Sequence, residues 1–168
     1  MYGRVMVLFI TLAILAAGIS SIPSASAGAS ATGKTPVVSA ADAQLKKDNY
    51  AIFKRTAIVL AAAKKAAKTG HKYAGLGKAV VHQRYARLYY LVGRCRSSIY
   101  HTLRTRELAT SVIKQNKAAV ITACYLNALE QTYAKGSPSK DQLDQELSPR
   151  DMIKDKDAVK SGVEDNIP

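Results

Sequence analysis

The stretch Val81-His82-Gln83-Arg84-Tyr85-Ala86-Arg87-Leu88-Tyr89-Tyr90-Leu91-Val92-Gly93-Arg94-Cys95-Arg96-Ser97-Ser98-Ile99 decides the fold. Val81, Tyr85, Leu88, Val92, Cys95 and Ile99 recur at spacings of three and four, and Leu103 extends the stripe. Arg84, Arg87, Arg94 and His101 fall on another face. That is the period of an amphipathic helix and not the alternation of a strand. Upstream, Leu45, Ile52, Thr56, Val59, Ala63 and Ala67 keep the same period, with Lys47, Lys54, Lys65, Lys68 and Lys72 opposite. Ala41 to Lys135 contains no proline, and its glycines are Gly70, Gly75, Gly77 and Gly93. The cluster Gly70–Gly77 predicts a helix break, with Gly75-Leu76-Gly77-Lys78 as a helix-start turn, and Gly136-Ser137-Pro138 predicts the end of the helical region. The expected fold is all-α, a three-helix bundle.

The turn between the second and third helices is less plainly marked. Ala118 to Leu126 is apolar nearly all round and predicts the most buried helix. Cys95 and Cys124 are the two cysteines, and in an exported protein a disulfide between them is the default. In an antiparallel hairpin, residues equidistant from the turn face each other. The midpoint falls between Ala109 and Thr110, where Thr110 and Ser111 are good helix N-caps. Helices over 76–108 and 111–134, stapled by Cys95–Cys124, follow. Such a bridge would add about 3 kcal/mol by restricting the unfolded chain.

Residues 1–27 carry the export signature. Arg4 precedes the apolar run Val5–Ile19, and Ser24-Ala25-Ser26-Ala27 supplies a small-residue cleavage site. Cleavage after Ala27 is expected, which sends the protein to the periplasm or the extracellular space. Residues 28–40 read as a flexible leader, 41–136 as a basic helical domain, and 137–168 as an acidic, loosely ordered tail that can lie on the basic core by charge attraction.

Charge is segregated along the chain. The 168 residues hold 25 Lys+Arg against 12 Asp+Glu, a formal net charge of +13. Residues 43–136 hold 18 of the basic residues and three acids, Asp48, Glu107 and Glu130, while 137–168 holds five basic and eight acidic residues. Helices ordinarily interleave both signs. Forgoing the negative partners costs self-repulsion and points to a polyanionic partner: lipopolysaccharide, teichoic acid, glycosaminoglycan, nucleic acid or an acidic membrane surface. The candidate contacts are Lys64, Lys65, Lys68, Arg84, Arg87, Arg94 and Arg104, acting by charge-assisted bonds to phosphate or sulfate. Ala61 to Lys68 resembles, in composition, the Ala/Lys segments of linker-histone tails, which implies nonspecific phosphate contact. Arginine and tyrosine interleave from Arg84 to Arg106. Tyr85 is expected to pack in the core and Tyr89, Tyr90 and Tyr100 at its rim.

Catalytic signatures are missing. The sequence has no His-Glu-x-x-His, no Gly-x-Ser-x-Gly and no phosphate-cradling loop. His71, His82 and His101 are the three imidazoles, none paired at helical spacing, and each is expected at the surface. No cofactor or metal is implied. The function expected is noncatalytic binding, with a membrane-active protein or a secreted protein-interaction module as alternatives.

Overall fold

The computed structural model describes residues 39–162, and these are all-helical. The expected signal peptide and most of the leader lie outside them. Helix α1 is Ala40–Gly70, α2 is Leu76–Leu91, α3 is Cys95–Gln115, α4 is Ala128–Lys135 and α5 is Lys140–Gln145. Short 3-10 turns occupy Thr122–Cys124, Pro149–Asp151 and Asp157–Lys160.

Capping explains where α1 starts and stops. Ser39 Oγ accepts from Asp42 N at 3.1 Å, and the Asp42 carboxylate sits in the first turn, where the helix dipole favours it. His71 closes the far end in a left-handed conformation, its N–H donating to Ala67 O. The Gly70–Gly77 break is where the sequence predicts it. Gly75 takes φ +89 as the cap of α2, a conformation that favours glycine.

The second turn differs from expectation. It falls at Val92-Gly93-Arg94, not at Thr110-Ser111, which lie inside α3. Gly93 has φ +76. Arg94 N donates to Tyr89 O at 2.8 Å and Gly93 N to Tyr90 O at 3.1 Å. This is the paired bonding of a Schellman helix end, in which a glycine takes the left-handed position and the last carbonyls are satisfied. The predicted helices 76–108 and 111–134 are therefore replaced by α2, α3 and α4.

That shift removes the basis for the disulfide. Cys95 and Cys124 are free thiols, Cys95 buried and Cys124 partly so. Cys95 opens α3, whereas Cys124 shares a cleft with Arg106 and Thr110. Eleven residues of helix separate Cys95 from Arg106, roughly 16 Å along the axis, well beyond disulfide reach. The apolar stretch 118–126 is also not a helix. Asn116 ends α3 by donating from Nδ2 to Val112 O and to Lys72 O at 2.9 and 2.7 Å. Lys117 then turns through φ +53, and the β-branched run Val120-Ile121-Thr122 has reduced helix propensity.

Hydrogen bonds give the helix directions. Thr105 Oγ1 donates to Ala79 O, the His82 and His101 rings meet, and Ser98 Oγ donates to Ala86 O. As residue numbers fall on α3 they rise on α2, so the two are antiparallel about Gly93. The Asn49 side-chain amide lies 3.0 Å from Ser98 Oγ, and Arg106 donates to Thr56 Oγ1, so α1 runs parallel to α3. The core between the three helices holds Val59, Leu60 and Ala63 from α1, Leu76 and Val80 from α2, and Val112 and Ile113 from α3. Phe53 and Ala86 form a second cluster. Of the expected stripe on α2, Val81 is buried but Leu88 and Val92 are exposed. The inward face is set by Leu76, Ala79, Val80, Gln83 and Ala86 instead.

Glu130 ties α4 to this frame. Its carboxylate caps its own helix through Asn127 N and meets the guanidinium groups of Arg55 and Arg106. Tyr133 OH donates to Asp48 Oδ2 at 2.8 Å.

Candidate functional site

The acidic segment crosses α2 and α3 as a strap. Its anchors begin with apolar burial of Leu143, Leu147 and Ala158 and continue as a series of carboxylates, each meeting donors on the helical hairpin. Asp144 accepts from Arg104 Nε at 2.9 Å and Nη2 at 3.0 Å, from Lys78 Nζ at 2.9 Å, and faces His82 Nε2 at 3.0 Å. Glu146 Oε2 faces His101 Nε2 at 3.1 Å. Asp151 Oδ2 accepts from Tyr85 OH at 2.7 Å, whose oxygen in turn accepts from Ser148 N at 3.0 Å. Asp155 accepts from Gly75 N and Gly77 N at 3.1 and 2.7 Å, so it caps the N-terminus of α2 from outside the helix. Arg84 Nη2 donates to Ser161 Oγ at 3.0 Å and Lys64 Nζ to Ser161 O at 2.6 Å. The strap is thus seated on the basic core residue by residue, not loosely attached.

At the centre of the strap lies a histidine pair. His82 and His101 are fully buried, contrary to the surface placement expected. Their Nδ1 atoms are 2.9 Å apart, and each Nε2 points to a carboxylate. Tyr89 stacks on His101 with ring centroids 5.3 Å apart, and Tyr85 packs against the same ring at 5.7 Å. Asp144–His82–His101–Glu146 is therefore one chain with three hydrogen-bonding contacts.

Proton counting limits what this chain can do. Three contacts need three protons, and two neutral imidazoles carry two N–H groups. A neutral pair leaves one contact without its proton, and Glu146, with its side chain 42% exposed, is the end that water can serve. A doubly charged pair would place two N–H donors face to face. Burial pushes the His82 imidazole down to about 4, helped by the adjacent His101 ring and opposed by Asp144. Burial also pushes His101 down, against the pull of Glu146. Burial alone would raise Asp144; its bonds to Arg104, Lys78 and His82 outweigh that and hold it well below the usual carboxylate range. The arrangement holds the two rings in a fixed orientation between two carboxylates. A general base must be within reach of its substrate, whereas both rings here are enclosed and their outer nitrogens already face carboxylates.

The seven predicted cations separate into two groups. Lys64, Arg84 and Arg104 hold the strap, and Lys64 and Arg104 are inward of the surface. Lys65, Lys68 and Arg94 are exposed, and Arg87 is partly so. Lys65 and Lys68 lie on α1, Arg87 near the end of α2 and Arg94 in the turn, so the structure does not gather them into one compact patch. Tyr85 and Tyr89 serve the strap, Tyr90 packs against Phe53 and Ala86, and Tyr100 lines a cleft.

Sequence reasoning missed the histidine pair and the carboxylates that meet it. The available signal was Gly93. Folding the chain about residue 92 brings 79 opposite 105 and 86 opposite 98, and 82 to within one residue of 101. Among the described residues no group of three His, Cys, Asp or Glu is placed to hold a metal ion, and no helix is long and apolar enough to cross a membrane. No protein-family model, curated protein or solved structure matches the chain.

Proposed function

We propose that the protein is exported and binds an anionic polymer or envelope surface without catalysing a reaction. The observation that carries this reading is the disposition of charge. Eight acidic residues belong to the C-terminal segment, and Asp144, Glu146, Asp151 and Asp155 are turned onto α2 and α3. The exposed side of α1 keeps Lys46, Lys47, Lys54, Lys65 and Lys68, and Lys72 follows in the loop; the carboxylates of α1 are Asp42 and Asp48, both in its first third. A lysine-rich face with few carboxylates releases counterions when it meets phosphate or sulfate.

The test is elution from heparin against a cation exchanger of matched charge density. Later elution from heparin is expected, and Lys65→Gln with Lys68→Gln and Lys72→Gln should flatten the salt dependence. A salt slope identical in the triple variant would remove α1 as the binding face.

A second reading rests on the tip of the α2–α3 hairpin. Leu88, Leu91 and Val92 are 54%, 52% and 60% exposed, beside Arg87, Arg94 and Arg96. Apolar side chains ringed by arginine suit an anionic bilayer surface. Cosedimentation with anionic but not neutral vesicles, lost in Leu91→Glu, would favour this tip over α1.

A further inference from the structure

A cleft of about 580 Å3 runs along one face of α3, within the size range of small-molecule sites. Tyr100, Leu103, Glu107, Thr110 and Lys114 supply its α3 wall at spacings of three and four. The segment around Cys124 and Leu126 borders it, as do Pro138 and Leu143. Its lining includes neither histidine of the pair and no lysine of α1, although Arg104 and Leu143 belong to both the cleft and the strap.

Its two ends differ. Toward Tyr100 and Leu103 the walls are apolar, closed by Ala134 and Pro138. Toward Thr110 the lining is polar, and the buried polar atoms there without a hydrogen bond are Arg106 Nη1, Thr110 Oγ1 and, behind Arg106, Glu130 Oε1. Arg106 is 1% exposed, and its Nη1 lies 2.6 Å from Glu130 Oε2 yet makes no well-angled hydrogen bond. Thr110 Oγ1 is buried without a partner. Buried polar atoms left without a hydrogen bond are costly, and natural structures leave few of them.

Charge at this end is also unbalanced. Arg104, Glu107 and Lys140 are paired among themselves and with Asp144. Below them, Arg55 and Arg106 share the single carboxylate of Glu130, which leaves one surplus positive charge against a buried guanidinium. Lys114 adds an exposed ammonium at the rim. From Thr110 to Tyr100 the helix rises roughly 15 Å, the reach of a medium-length acyl chain.

We propose that this cleft binds a small anionic amphiphile, with its carboxylate on Arg106 Nη1 and Thr110 Oγ1 and its hydrocarbon chain along Tyr100, Leu103 and Pro138. An incoming carboxylate accepts from Arg106 Nη1, beside its ion pair with Glu130, and from Thr110 Oγ1, and neutralises the surplus charge of the Arg55–Glu130–Arg106 cluster. The chain covers the apolar end. The proposal does not depend on polyanion binding, because the residues differ.

Decanoate tests it, by calorimetric titration of the exported protein below the micellar concentration. Saturable one-to-one binding is expected, tighter than that of decanol by about tenfold or more, the effect of one charge-assisted hydrogen bond. Thr110→Val should weaken decanoate roughly three- to tenfold and leave decanol unchanged. Ala134→Trp, which fills the apolar end, should abolish both while circular dichroism and melting stay native. Equal affinity for decanoate and decanol would overturn the assignment of the head group. Undiminished decanoate binding in a folded Ala134→Trp protein, or no saturable binding at all, would overturn the site. Binding should survive at salt that strips the protein from heparin, so loss of the two activities is separable.

Discussion

At the residue scale the histidine pair makes stability depend on pH. Both imidazoles are lowered, His82 to about 4. Above about pH 6.5 they are neutral folded and unfolded, and their contribution is fully present. As pH falls from about 6.5 to about 4, the unfolded chain takes protons that the folded chain refuses, so stability declines. Asp144 is also held low, so its contribution starts to be lost only below its ordinary range, near pH 4. The two windows are separable. Urea titrations across pH 7 to 4 should show falling stability, and His101→Phe, which keeps the ring against Tyr89, should reduce that slope. An unchanged slope would mean that the pair does not titrate as its burial demands. Asp144→Asn removes the shared acceptor of Arg104, Lys78 and His82. It should cost about 2–3 kcal/mol at pH 7, in keeping with losing one member of a partly buried charged network. The period of either helix shows none of this, and the one signal for the pairing is the turn at Gly93. A histidine's burial depends on which residue faces it across a turn, and periodicity within one helix says nothing about that.

At the element scale the outcome hinged on Gly93. Helical content, the Gly70–Gly77 break and the end near Gly136 were all legible, because proline absence, glycine clustering and a 3.6-residue period are local signals. The second turn was legible too, in Gly93 followed by Arg94-Cys95, but the cysteines drew the turn to Thr110. A pairing assumption of long range overrode a backbone signal of short range, and the backbone signal corresponds to the structure. Gly93 has open space around its missing side chain, so Gly93→Ala tests backbone conformation alone. It should destabilise by about 1 kcal/mol, the cost of a left-handed non-glycine residue, with no change in the denaturant slope. Gly77 is a different case, because a Cβ there would meet Ile153 O at 2.3 Å. Gly77→Ala should therefore cost more than Gly93→Ala and should loosen the strap, seen as faster amide exchange over 150–160. Equal costs would mean that the strap does not press on the start of α2. The apolar run 118–126 was misread for a related reason. Its residues pack partly against the core, and burial without periodicity does not distinguish a helix from an ordered loop.

At the scale of the whole molecule, covalent cross-linking is replaced by electrostatic strapping. Two free cysteines predict that a thiol reagent titrates two groups after unfolding without reductant, and that added reductant leaves the melting temperature where it was. A rise to two groups only after reduction would restore the bridge. What closes the fold instead is an acidic segment, with six acidic and five basic residues over 137–162, laid on a basic domain of net +15 by count of 43–136. Salt acts on two opposed terms here. The strap's main ion pair is well shielded, Arg104 and Asp144 having side chains only 11% and 17% exposed, and such pairs are screened little. The lysines of α1 are exposed and repel one another, and exposed repulsion is screened readily. Salt should therefore stabilise. Raising sodium chloride from low to near-physiological ionic strength should lift the melting temperature by about 2–4 °C, corresponding to about 1 kcal/mol in a chain of this size. A polyanion at low salt should do the same with fewer ions, since it binds where the repulsion is. Melting that falls with salt would mean that the strap's attractions outweigh the repulsion on α1. The unbalanced lysines would then carry no energetic cost for a ligand to relieve, and the principal argument for a polyanionic partner would go with it.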